Sequence, residues 1–155
     1  MSLSGNVLAL LLLHAGCALA GSEIAITVGK IHVVAETAVT PQAREKGLMG
    51  RKSLAKNHGM LFVFQKPDYY RMWMRDTSIP LSVAFLDDKG RVVNIEDMAP
   101  LSLELHSSAG QALYALEMDR GWFSAHHVGT GSLVIMPSLR AVEEPASDSI
   151  RSVSP

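Results

Sequence analysis

The sequence predicts a mainly β protein with short helices, built as one small antiparallel β-barrel or sandwich. Three observations lead there. Apolar residues alternate with period two in many short runs, turn signals such as Asp88-Lys89-Gly90 separate those runs, and few segments carry helix signals.

Ile24, Ile26 and Val28 alternate with Glu23, Ala25 and Thr27, and Gly29-Lys30 then offers a two-residue reversal before Ile31, Val33 and Ala35. Glycine at the first central position is what a type II′ turn requires, so the domain should open with a hairpin. Thr40-Pro41 has the form of an N-cap followed by proline at the first helical position. A short helix over Gln42 to Lys46 follows, ended by Gly47 or Gly50 and too short to stand without tertiary support.

From His58 onward, Met60, Phe62 and Phe64 fall on one face of a strand while Leu61 and Val63 fall on the other. Both faces should be buried. Pro67-Asp68 marks a turn. Tyr70 to Met74, Val83 to Leu86, Val92 to Glu96, Leu113 to Met118 and Leu133 to Met136 supply further strands, and Gly121 to His127 a second short helix. No internal repeat is present.

The ends differ in composition from this body. Val7 to Leu13 is a continuous apolar run, and Ala18-Leu19-Ala20 is a small-x-small cleavage site before Gly21, so residues 1–20 read as a signal peptide. The run is shorter than the roughly 20 apolar residues that span a bilayer. Leu13-His14-Ala15-Gly16-Cys17 also partly matches a lipoprotein cleavage box, with His14 where an aliphatic residue is usual. Cleavage after Ala20 predicts an exported, periplasmic or extracellular protein; lipidation of Cys17 would instead anchor it to a membrane. Residues 21–136 form the expected β-rich domain, and 137–155, rich in Glu, Ser and Pro, a disordered tail. Loss of Cys17 with the signal leaves no disulfide or thiolate chemistry.

A formal net charge of −1 gives no electrostatic reason to expect nucleic acid or an anionic membrane surface as partner. There is no Gly-x-Ser-x-Gly elbow, phosphate loop or dinucleotide fingerprint, so neither a cofactor nor a catalytic constellation is expected. His126-His127 does not make a zinc site, because adjacent residues diverge and no HExxH accompanies them. His58, Met60, Met72 and Met74 have same-face spacings that suit Cu(I), though methionine equally fills cores.

The densest chemistry lies in Met72-Trp73-Met74-Arg75-Asp76-Thr77-Ser78-Ile79-Pro80. On an extended segment, Arg71, Trp73 and Arg75 share one face and Tyr70, Met72 and Met74 the other. An indole between two guanidinium groups can stack a planar or sugar-like ligand while the cations pair with its carboxylate or phosphate. The same arrangement also arises where arginine stems simply cover an indole. Asp76 and Thr77 can orient a ligand, or satisfy a local turn. Arg51 could add another anion-binding group. Glu117, among apolar residues, calls for a cation if buried, with Arg51, Arg71 or Arg75 as the expected partner. Left unpaired beside a pocket, it would become a candidate acid or base.

Gly47-Leu48-Met49-Gly50-Arg51, Gly59-Met60-Leu61-Phe62-Val63-Phe64, Met72 through Pro80, and Tyr114-Ala115-Leu116-Glu117 with Gly121-Trp122 follow one another along the chain. Together they resemble successive signatures of the domain of unknown function 192 family and cover nearly all of Ile24 to Met136. The resemblance implies a small, β-rich, often exported domain with no established activity to carry over. The family usually has lysine-asparagine at Arg75-Asp76, aspartate at Ser82, aspartate at Ser132 and often a cysteine pair between Leu101 and Ser108.

The resulting expectation is non-catalytic binding of a small anionic or saccharide-like ligand, or of an envelope partner, through Arg51, Arg71, Trp73, Arg75, Asp76, Thr77 and Glu117. The alternatives are a hydrolase or transferase using Asp76 or Glu117, soft-metal handling through His58 and the methionines, and a purely structural role in the envelope.

Overall fold

The computed structural model describes residues 22–137; the expected signal peptide, Cys17 and the tail from residue 138 onward lie outside the described residues. The order of elements is β1 (Glu23–Val28), β2 (Ile31–Ala38), α1 (Pro41–Lys46), β3 (His58–Asp68), β4 (Arg71–Met72), β5 (Leu81–Leu86), β6 (Val92–Met98), β7 (His106–Ser107), β8 (Ala112–Asp119), α2 (Trp122–Ala125) and β9 (Val134–Ile135). The main sheet runs β6-β5-β8-β3-β2-β1-β9, and β4 pairs with β7 in a separate ribbon.

Its pairs are antiparallel except β2 with β3. A parallel neighbour requires a crossover, and the chain between β2 and β3 supplies one through α1. The sheet also curls until its two edges meet at one end. Gly131 N donates to Val92 O (2.7 Å), Val92 N to Ser132 O (2.9 Å) and Val134 N to Gly90 O (2.8 Å). The result is a half-barrel rather than a sandwich.

Local chemistry explains the elements. Val28 faces Ile31 across the two-residue turn, where Gly29 has φ 61° and Lys30 keeps a negative φ, as a type II′ turn requires. Thr40 caps α1 by accepting from Ala43 N at 3.1 Å, Pro41 opens it, and Gly47 ends it at φ 45°. The segment expected as a strand over Tyr70 to Met74 is extended only at Arg71–Met72. Beyond Met72 it turns, because Thr77 N bonds to Met74 O and Asp76 takes φ 54°.

Alternation along β3 and β8 creates two cores. Leu61, Val63, Leu116 and Met118 point into the curl with Ile26, Val28, Val33, Leu86, Phe123 and Val134. Met60, Phe62, Ala115, Val83 and Phe85 point the other way and meet a covering layer carrying Leu48, Met74 and Ile79. The expected double burial of β3 is therefore observed, and the second face is roofed by α1 with its following loop and by the excursion between β3 and β5.

Gly59 of β3 leaves no room beside β8: a Cβ there would sit 2.2 Å from Glu117 O and 2.5 Å from Met118 Sδ. Backbone cannot yield as a side-chain tip can. Gly59→Ala should lower stability in urea unfolding by at least ~1–3 kcal/mol, the usual cost of overpacking. Gly129→Ala, into open space, should change it by less than ~0.5 kcal/mol.

Candidate functional site

Between the outer face of β3 and its roof lies a cavity of about 410 Å³. Phe62 and Phe64 from β3 form one wall, Leu48 and Met49 from the loop after α1 a second, and Tyr70, Met72 and Trp73 a third. Arg44, Glu45 and Lys46 at the end of α1, with Gln65, Lys66 and Arg71, give it polar boundaries, and Thr77 and Glu117 complete the lining. The close packing of this region depends on Gly47, where a Cβ would meet Phe62 Cζ at 3.2 Å. Phe64 and Tyr70 stack with centroids 3.6 Å apart, and the Tyr70 hydroxyl donates to Lys66 O at 2.8 Å.

Of the seven candidates read from the sequence, Arg71, Trp73, Thr77 and Glu117 line this cavity. Trp73 is 39% exposed. Its outer neighbour is Arg75, whose guanidinium carbon stands 4.5 Å from the ring centroid. Arg75 is further held by Glu45 at 3.6 Å and Asp76 at 3.8 Å. One arginine therefore covers the indole while the other, Arg71, faces the cavity and has no hydrogen-bond or ion-pair partner among the described residues.

The remaining candidates stand elsewhere, and Thr77 is engaged where it lies. Arg51 pairs with Glu36 on the surface. Asp76 is exposed, and its backbone shapes the turn through its left-handed conformation and a bond from Gly50 N to its carbonyl (3.0 Å). Asparagine and aspartate are the side chains most tolerant of that conformation, which accounts for either residue at this position. Thr77 borders the cavity, but its hydroxyl donates to Arg75 O at 3.2 Å.

Glu117 departs from expectation most sharply. Alternation along β8 places it beside Ala115 on the roofed face, between Met60 of β3 and Val83 of β5. Neither Arg51, Arg71 nor Arg75 reaches it, because each is set on the roof or its margin while Glu117 lies at sheet level. It is 4% exposed and has no hydrogen-bond or ion-pair partner among the described residues. Burial alone pushes its pKa from 4.5 to about 8.

Sequence reasoning misses Arg44, Lys46 and Lys66 and the aromatic wall of Phe64 and Tyr70. Basic residues in the last turn of α1 and directly after the apolar run of β3 are the available signal. Arg44 also anchors the roof, donating through Nη1 to the carbonyls of Val39 and Val63. The methionines paired for copper, Met60, Met72 and Met74, all pack in or against the second core, and His58 Nδ1 contacts Lys56 O at 2.9 Å. Ser82, where aspartate is usual, lies 2.5 Å from Asp97 Oδ1 and accepts from Gly121 N at 2.9 Å. Asp97 thus brings a carboxylate to that spot from the neighbouring strand.

Comparison with known proteins agrees with this architecture. The model of the DUF192 family, described as an uncharacterized ACR, matches residues 24–136. The chain is similar to the crystal structure of a proposed transcription regulator from Sinorhizobium meliloti 1021, with 29% identity and a TM-score of 0.74 over 76% of this chain and 96% of that one. It is also similar to a protein of unknown function from Novosphingobium aromaticivorans DSM 12444, with 31% identity and a TM-score of 0.65 over 72% of this chain and 82% of that one. The comparison with curated proteins returns no match.

The buried acid sets a pH dependence of stability. Folded Glu117 keeps its proton up to about pH 8, whereas the unfolded side chain loses it near 4.5, so the folded state binds more protons in between. Its contribution to stability is therefore full below pH 4.5, is lost as pH rises to about 8, and changes no further above that. Glu117→Gln should remove this slope. In urea unfolding from pH 4 to 9, the difference between wild type and variant should vary by up to ~1.4 kcal/mol per pH unit inside the window.

Proposed function

The chain belongs to the DUF192 family, and on that premise we propose that it binds a small organic anion with a planar or sugar-like body in the cavity beside Trp73, without transforming it. The observation that carries this is the joining of a half-exposed indole and an unpartnered guanidinium, Trp73 and Arg71, in one hollow lined by aromatic and charged side chains. Cavities of this size and lining hold small ligands, with a few polar groups fixing orientation. Arg71 supplies the charge-assisted bond, Lys46 and Lys66 add to the field, and the indole, backed by Arg75, offers a stacking face.

A binding role suits the lining better than catalysis. Among the described residues no serine, cysteine or histidine borders the cavity, the Thr77 hydroxyl is engaged with backbone, and the second carboxyl, Glu45, is exposed. Acid or base chemistry in a hydrolase or transferase remains the second reading because of one feature, the raised pKa of Glu117 inside the hollow. The Sinorhizobium relative is called a transcription regulator, and a role of that kind here would need a surface for nucleic acid. The net charge of this chain is −1, and the cations at issue border a cavity rather than form a groove-tracking stripe. Packing of Met60 and Met74 in the core favours gap filling over copper. We further propose that residues 1–20 direct export.

A thermal-shift series with 3-phenylpropionate, indole-3-acetate, phenyl phosphate and glucuronate tests the proposal. At least one should raise Tm. Arg71→Ala should weaken that probe about 10- to 100-fold, as loss of a charged hydrogen bond does, and Trp73→Ala should weaken it as well. Absence of any shift, or shifts insensitive to both substitutions, would refute it.

A further inference from the structure

We infer that the ligand of this cavity is a zwitterion, held with a protonated amine against the Glu117 carboxyl in the interior and an acidic group at the basic mouth beside Arg71. This rests on the anion-binding proposal and adds the chemistry of the ligand's inner end.

Glu117 is 4% exposed, lines the cavity and has no partner among the described residues. Buried acids are ordinarily hydrogen-bonded or paired, and one that is not calls for a donor. Along the sheet its neighbours are Met60, Val83 and Ala115, none of which can donate through its side chain. The open direction is the cavity, so the carboxyl is available to a donor on whatever fills it.

The walls decide which donor fits. Phe62, Phe64, Tyr70 and Trp73 line the cavity with aromatic rings, whose faces attract an ammonium group and offer little to a carboxylate. The charged and titratable groups that border the same space are Arg44, Glu45 and Lys46 from α1, Lys66 from β3, and Tyr70 and Arg71 beside β4. Four cations against one exposed acid at the periphery disfavour a plain amine. An acid on the same molecule reverses that repulsion and pairs with Arg71, for which no internal partner is found among the described residues.

Binding such a ligand moves a proton. Free Glu117 is protonated below about pH 8. To pair with an ammonium it must ionise, and the proton leaves to solvent while the amine keeps its own. Between about pH 6 and 7.5 the amine-bearing ligand should therefore release close to one proton. Its affinity should rise about tenfold per pH unit and level off above 8.

Isothermal titration calorimetry with 4-(aminomethyl)benzoate, 4-methylbenzoate and benzylamine, and with 6-aminohexanoate, hexanoate and hexylamine, tests this on the full chain at about pH 6.5 in buffers of different ionisation enthalpy. In at least one series the amino acid should bind about ten times more tightly than the acid lacking nitrogen, and it alone should release a proton. Glu117→Gln should abolish the advantage and the proton release; Arg71→Ala should weaken both acids. Equal affinity of the plain and amino acids, with dependence on Arg71, would overturn the zwitterion and leave the anion-binding proposal standing. Tight binding of benzylamine or hexylamine without dependence on Arg71 would also overturn it, and silence from every probe would sink both. The wild-type comparison of ligands decides the matter even if a variant fails to fold.

Discussion

A strand buried on both faces needs an apolar layer on each side, and β3, β5 and β8 meet that demand by two different means. One face closes on itself through the curl of the sheet; the other depends on α1, its following loop and the excursion between β3 and β5 as a roof. The roof is fastened by few bonds to the backbone. Arg44 reaches the carbonyls of Val39 and Val63, Gly50 N bonds to Asp76 O, and Met74 N and Leu101 N bond to Ser102 O and Thr77 O. Held this way it packs Leu48, Met74 and Ile79 against the sheet yet leaves a hollow onto which Phe62 and Glu117 open, and that hollow is the candidate site.

Placing an ionisable group in that gap opposes stability. An apolar side chain at residue 117 would suit Met60, Val83 and Ala115 as neighbours, and nothing in the packing calls for a carboxyl. Local rules broken without internal compensation concentrate at functional sites, where binding competes with stability. Arg71 differs in being exposed at the mouth, where solvent satisfies it and a ligand can reach it. The roof contributes an exposed guanidinium and the sheet a buried carboxyl to one hollow, and that meeting of two independent segments ties the proposed recognition chemistry to the fold.

Much of the architecture is legible in the sequence because it is written in short range. The Gly29-Lys30 reversal, the Thr40-Pro41 cap and the two-sided burial of β3 each follow from residues a few positions apart. The parallel β2–β3 pair is not, since a crossover differs from a hairpin only in where distant strands land. The division of Tyr70, Met72 and Met74 from Arg71 and Trp73 is also readable, although the segment leaves strand geometry after Met72. Glu117 can be flagged as needing a partner, but which arginines reach sheet level depends on roof height, which no local pattern encodes. The contributions of Arg44, Lys46 and Lys66 escape for the same reason: three separate pieces of chain converge there only after folding.

Closure of the curl limits how another chain could approach. At the start of β6, Val92 gives its backbone N–H and C=O to residues 131–132, and further along the Asn94 side chain donates through Nδ2 to Ser107 O at 3.1 Å and accepts at Oδ1 from Ala109 N at 2.9 Å. With the backbone of Val92 already paired, an incoming peptide cannot lengthen the sheet where β6 begins. At that corner of the sheet, contact with another molecule falls to side chains rather than to backbone pairing.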